Sequence, residues 1–289
     1  MLRLAGGKIG RNLFFVATIV FFGLPVLWLL LAPTKSNYAL SYENPMSFGS
    51  LAQFGDTWNN LVTYNDGIIW RWALNSIWYT AVTVGVALAA SLPAGYAMAK
   101  FRFRFRGTLL FLTLLLMLVP QAALILPMYL EMSTFHLINT PWAVILPLTF
   151  YPFGVYMTYL YAKASVPSEI IEAARIDGCG EFGIFRRVFL PLARPVIVMI
   201  TFFGVVGTWN AFFLPFIMLT DDKLATLQTG LQLLVASTSA VSGGNQSTLP
   251  IHAPEVALAS VISITPIVLM FLFAQKQLIA GQAQGAVKG

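Results

Sequence analysis

Apolar residues fall along this chain in blocks of about twenty, the length that crosses a bilayer core as a helix. Short polar or basic stretches separate the blocks, and the pattern predicts six spans, near residues 13–32, 72–98, 108–130, 141–161, 196–219 and 256–273. Pro93 and Gly95 interrupt the second block, which membrane helices tolerate when neighbours satisfy the freed backbone. Residues 33–70 turn polar and irregular through Pro33, Pro45, Asp56, Asn59, Asn60 and Asp66, with Trp58 and Trp70 placed to lie at an interface. That segment is expected as an outer loop, as is the Ser- and Gly-rich region from Thr220 to Glu255. A short loop with His136 and Asn139 joins the third and fourth spans. The fold class is all-α: a polytopic membrane protein with an N-terminal segment (1–12), a transmembrane domain (13–280) and a terminal tail (281–289). The first block is too long for a cleaved signal peptide, and no small-x-small site follows it directly, so it reads as a retained span.

The stretch 165–191 departs from this pattern by mixing acids and bases with apolar residues. Ser168 follows Pro167 and is expected as an N-cap, Glu169 suits a helix N-terminus, and Ile170, Ile171, Ala173, Ala174 and Ile176 repeat at helical spacing. A first helix over about 168–177 should end at Gly178, whose permissive backbone turns the chain. Phe182, Phe185, Val188 and Phe189 then form a second apolar face opposite Arg186 and Arg187, until Pro191 and Pro195 break the pattern. Glu172 can pair with Arg175 along the first helix.

Composition and charge fix the orientation. The chain is 58% hydrophobic and 10% charged, where a soluble domain carries about 25% charged residues. Its net charge of +6 does not mark a nucleic-acid binder, because the cations sit at the ends of apolar runs. The alternation of Phe101, Phe103 and Phe105 with Arg102, Arg104 and Arg106 is more simply a topology anchor than an RNA-binding patch. With the N-terminus inside, fourteen cations are cytoplasmic: Arg3, Lys8, Arg11, Lys100, Arg102, Arg104, Arg106, Lys163, Arg175, Arg186, Arg187, Arg194, Lys276 and Lys288. Three remain outside, Lys35, Arg71 and Lys223, and residues 165–191 become cytoplasmic. The single cysteine, Cys179, reads as a small residue at the bend. The sequence offers no metal site, catalytic triad or phosphate-cradling glycine loop. No charge sits centrally in a span, which argues against a proton- or ion-coupled carrier.

The charged stretch also carries a family resemblance. Glu172-Ala173-Ala174, three residues, Gly178, nine residues, then Val188-Phe189-Leu190-Pro191 resembles the EAA loop of ATP-binding-cassette (ABC) importer permeases, with Val188 in place of isoleucine. The resemblance implies the type I ABC importer permease fold. It assigns coupling to an ATPase groove to Glu172, Ala173, Ala174, Asp177, Gly178, Phe182, Phe185, Val188, Leu190 and Pro191. It also implies a non-catalytic subunit that binds no cofactor, with ATP and Mg²⁺ held by the partner ATPase, since no Walker motif is present here. Leu92 to Phe101, Leu137-Ile138-Asn139-Thr140, Trp209-Asn210 with Pro215, and the tail ending Gly285 to Gly289 look like the maltose-type carbohydrate branch, second permease. The partners so implied are a second permease, two copies of the ATPase, an extracytoplasmic solute-binding protein, a sugar and membrane lipid. The place is the cytoplasmic membrane of a prokaryote, with both termini inside.

Sugars are recognised by aromatic faces and uncharged polar groups, so Asn210, Trp209, Tyr151, Tyr156, Asn75 and Gln121 are the candidates to line the path. The alternatives are an importer permease for another solute and an ATP-independent secondary carrier. Acidic residues lining the spans would favour a cationic solute, and none is found.

Overall fold

The computed structural model describes residues 2–238 and 251–286, and every element among them is helical. A chain crossing lipid must satisfy its own backbone hydrogen bonds, and helices do so within one segment. Of the predicted outer region, residues 239–250 lie outside the described residues, as do Val287, Lys288 and Gly289 of the tail.

The elements are α1 (Leu2–Leu31), α2 (Asn37–Tyr42), α3 (Leu51–Thr63), α4 (Ile68–Lys100), α5 (Arg106–Leu118), α6 (Gln121–Thr134), α7 (Trp142–Thr149) and α8 (Pro152–Ser165). There follow α9 (Ser168–Ile176), α10 (Glu181–Ile184), α11 (Leu190–Leu192), α12 (Arg194–Trp209), α13 (Phe213–Met218), α14 (Leu227–Ala236) and α15 (Ala253–Ala286). Four helical stretches are long and apolar enough to cross a membrane among the described residues. Two bent pairs, α5 with α6 and Glu181–Leu192 with α12, bring the number to six if each counts as one span.

Several expectations change. The third span is not one helix: α5 and α6 meet at 104° across Val119 and Pro120, because the residue before a proline is driven out of the helical region. The fourth is divided at Phe150 and Tyr151 ahead of Pro152, and the fifth breaks after Trp209 before resuming at Phe213. The expected outer loop over 33–70 contains α2 and α3, and α4 opens at Ile68. Ser36 and Ser50 cap the two short helices, accepting from the Ala39 and Gln53 amides at 3.1 Å. The region after Thr220 likewise contains a short 3-10 turn over Asp222–Leu224 and then α14.

The chain forms two compact units. The first combines Met1–Ala73 with Thr229–Thr265. In it the Thr34 hydroxyl and carbonyl accept from the Gly49 and Ser50 amides, and Lys35, 1% exposed, donates its Nζ to the Asn44 carbonyl. Glu255 accepts from the His252 amide at 3.1 Å and from Asn60 Nδ2 at 3.3 Å, tying α3 to the start of α15.

The second unit combines Leu74–Gln228 with Pro266–Gly289 and holds two cores. One gathers Leu92, Tyr96, Ile171, Ile184, Phe189 and Ile200, the other Tyr79, Met132, Ile145, Leu214 and Met218. Near the latter, Asn139, at φ +59°, accepts on Oδ1 from the Thr220 and Asp221 amides and donates its own amide to the Met218 carbonyl. The α4 face formed by Asn75, Ser76 and Tyr79 clasps residues 223–227 by side-chain hydrogen bonds.

Candidate functional site

Two places in the second unit carry the candidate residues: the helix pair at 168–192 and a cavity between the broken helices.

In the helix pair, α9 ends in a Schellman motif. The Gly178 amide donates to the Arg175 carbonyl and the Cys179 amide to the Ala174 carbonyl, both at 3.0 Å, with Gly178 at φ +79°. The spacing from Ala174 to Gly178 is thus a geometric requirement, since the left-handed residue must fall four positions after the carbonyl that closes the cap. Ser168 is not the cap residue: Pro167 holds that place and α9 starts without a side-chain cap. Arg175 does not pair with Glu172 either. Its Nε meets Glu181 Oε1 at 2.8 Å, because the turn folds the chain back and brings α10 beside the end of α9. That hydrogen bond holds the guanidinium pKa above its ordinary value.

Pro191 does not end its helix as expected. It has no N–H for the Arg187 carbonyl and its ring crowds that oxygen, and the chain answers with a π turn over Phe185–Phe189, in which the Leu190 amide reaches the Phe185 carbonyl. The helical run continues to Leu192, then bends by 78° into α12.

The pair is anchored on one side and bare on the other. Ile171, Ile184 and Phe189 are buried, and the Tyr96 ring packs on Phe189 and Phe185 at 4.7 and 5.3 Å. Lys100 Nζ donates to the Val166 carbonyl at 2.6 Å and the Tyr161 hydroxyl to that of Leu192 at 2.9 Å. On the bare side Ile176 is 86% and Phe182 76% exposed, with Glu172, Ala173, Asp177 and Pro191 also exposed. Val188, Leu190 and Phe185 are half-buried toward the anchored side.

The cavity, of about 480 Å³, lies where three chain breaks converge: Val119 before α6, Phe150 and Tyr151 before α8, and Asn210 to Phe212 before α13. Thr83, Val84 and Ala87 of α4 and Ile200, Phe203, Gly204 and Thr208 of α12 complete its walls. Among the sequence candidates, Gln121, Tyr151 and Asn210 line it. Asn210 donates Nδ2 to the Val206 carbonyl at 2.9 Å, leaving its amide oxygen to face other partners, and the Tyr151 hydroxyl lies 3.5 Å from the Ile200 carbonyl.

Trp209, Tyr156 and Asn75 do not line the cavity. Trp209 is buried while its neighbours on either side face the space. Tyr156 stacks obliquely near Tyr159, and Asn75 spends both amide hydrogens on the Lys223 and Ala225 carbonyls, at 2.9 Å each. Thr83, Thr208 and Phe203 were not picked out in the sequence; threonine and phenylalanine in an apolar run carry no signal that separates a cavity wall from an ordinary helix face.

The arrangement defines a multi-pass helical membrane protein that displays a capped helix pair at one end of a unit whose broken helices enclose a cavity. Residues 91–282 match the family described as the binding-protein-dependent transport system inner membrane component, and the chain belongs to that family. It is 36% identical over 224 residues, 77% of this chain and 76% of the relative, to the arabinooligosaccharides transport system permease protein AraQ of Halalkalibacterium halodurans. The probable ABC transporter permease protein YurM of Bacillus subtilis is 32% identical, covering 98% of this chain and 89% of its own. The diacetylchitobiose uptake system permease protein DasC of Streptomyces coelicolor is 29% identical, with both chains covered fully at 100%. Among solved structures, a chain of a bacterial ABC transporter involved in the import of the acidic polysaccharide alginate superposes with a TM-score of 0.81 at 22% identity. The match covers 94% of this chain and 96% of that one, and shows that the two share a fold.

Proposed function

We propose that this chain is the permease subunit of an ATP-driven carbohydrate importer, in which it forms half of the translocation path with a second permease. The relatives named for arabinooligosaccharides and diacetylchitobiose support the sugar class. The chain itself catalyses nothing in this reading. Two ATPase subunits hold ATP and Mg²⁺, an extracytoplasmic binding protein delivers the solute, and both termini lie in the cytoplasm of a prokaryotic cell.

The observation that carries the reading is the exposure of Ile176 and Phe182 on a helix pair whose other face is locked to α4 and α12. Apolar side chains held in water on a fixed scaffold mark a docking surface, and here they fit an ATPase groove. Both supporting helices run on to the cavity: Thr83 and Lys100 of α4 are separated by roughly 25 Å of rigid rise. Closure of the ATPase pair would tilt the docked helices, and α4 and α12 would carry that movement to the cavity walls, favouring inward- or outward-facing arrangements in turn.

Cys179 supplies a direct test, being the chain's single cysteine, half-buried beside Gly178. A membrane-impermeant maleimide should label it in inverted vesicles and not in intact cells, and bound ATPase should slow that labelling several-fold. Labelling from the outer face, or at a rate indifferent to the ATPase, would sink the assignment.

A further inference from the structure

Thr83 differs from the helical threonines whose hydroxyls are bonded along their own helices, and from Thr57 of α3, also unpaired, in lining a cavity. Thr158, Thr201, Thr113 and Thr265 each return their hydroxyl to the carbonyl four residues earlier, at 2.7 Å. Thr83 is 1% exposed, lines the cavity, and its Oγ1 has no hydrogen-bond partner within the described residues. A buried hydroxyl left unpaired is costly and calls for a partner that enters the space. The rest of the lining narrows what that partner is. Gln121, Thr208 and Asn210 offer uncharged polar groups, Phe203 and Tyr151 offer ring faces, and no Asp, Glu, Lys, Arg or His lines the cavity among the described residues. A carboxylate or sulfonate entering it would lose its hydration with no cation to meet it, whereas a neutral ring presents C–H faces to the aromatics and hydroxyls to the amides.

We infer that the cavity is a subsite for an uncharged sugar unit, and that the Thr83 hydroxyl is the hydrogen-bond partner of one of its hydroxyl groups. The inference rests on the reading of the chain as a carbohydrate permease. It separates this chain from transporters of acidic glycans, the class to which the structurally similar alginate transporter belongs by its description.

The test uses the complete importer, with its own binding protein, in proteoliposomes. Uptake per ATP hydrolysed is measured for neutral probes (arabinotriose, maltotriose, diacetylchitobiose) and for acidic ones (trigalacturonate, alginate trisaccharide). Thr83→Val keeps the shape and removes the hydroxyl; Thr83→Ser keeps the hydroxyl. The wild type should carry a neutral probe, Thr83→Val should lower uptake per ATP by about ten-fold, the worth of one hydrogen bond, and Thr83→Ser should restore most of it. Thermal unfolding of Thr83→Val should be unchanged or shifted upward, since it deletes an unpaired buried group. Wild-type uptake by Thr83→Val, a lowered unfolding temperature for it, or transport confined to acidic probes would each overturn the inference while leaving a carbohydrate permease in place. Uptake of no probe of either kind would remove the carbohydrate reading and this inference together.

Discussion

Gly178 concentrates the local physics of the helix pair. A Cβ built on it meets nothing within 4 Å, so space is no obstacle, but φ +79° disfavours any L-residue and a branched one most. Gly178→Val should cost about 1–2 kcal/mol at that one turn, enough to reshape the cap while leaving membrane insertion intact. The expected outcome is ATPase activity that loaded binding protein no longer couples to uptake, read as sugar moved per ATP; normal coupled uptake would contradict the role given to the bend. The glycine was legible in the sequence because its spacing from Ala174 encodes the turn. Arg175 was not. Pairing rules for a single helix point to Glu172, three residues away, and say nothing of Glu181, which reaches Arg175 only because the turn folds back. Both partners are about half exposed, so solvent screens the pair and it adds little to stability.

Among elements, α4 and α8 approach closely enough to constrain their residues. A Cβ at Gly95 would lie 2.5 Å from the Thr158 Cβ and the Val155 carbonyl, and one at Gly154 would lie 2.7 Å from the Tyr151 ring and 2.9 Å from Ser91 Oγ. Small residues let membrane helices meet backbone to backbone. Gly95→Leu should therefore force the helices apart at a cost of about 1–3 kcal/mol or more, visible as a lowered unfolding temperature of the purified complex. Unaltered stability would show that the packing yields more easily than the geometry suggests. The sequence marked Gly95 and Pro93 as interruptions, yet α4 runs through both. Pro120 was absorbed into a predicted span and instead bends the chain sharply, because Val119 there adopts extended backbone. The two prolines differ in what surrounds them, which local pattern does not record. In α2, α3 and α14 the error ran the other way: Ser50 followed by Leu51, Phe54, Trp58 and Leu61 is a cap and a helical stripe, but polar neighbours diluted it.

At the scale of the molecule, the apolar blocks and the EAA spacing were legible, because lipid imposes a length and the left-handed turn at Gly178 imposes a register. The cavity was legible only in part. Its walls come from segments far apart in sequence, and three of six candidate residues fall elsewhere in the fold. The bare side of the helix pair has one more consequence. If the pair docks on a cytoplasmic ATPase, as proposed, a copy made without that partner would leave Ile176 and Phe182 uncovered. Such surfaces are what chaperones and membrane proteases seize, so the abundance of this subunit should follow that of its partner. Deleting the ATPase should cut the steady-state level of the chain several-fold, and Ile176→Ser with Phe182→Ser should recover much of it, measured by immunoblot of membranes. A level indifferent to the ATPase would mean the cell does not read this patch. On this view the same two side chains proposed to dock in the finished machine would act beforehand as a tally of its parts, condemning the surplus.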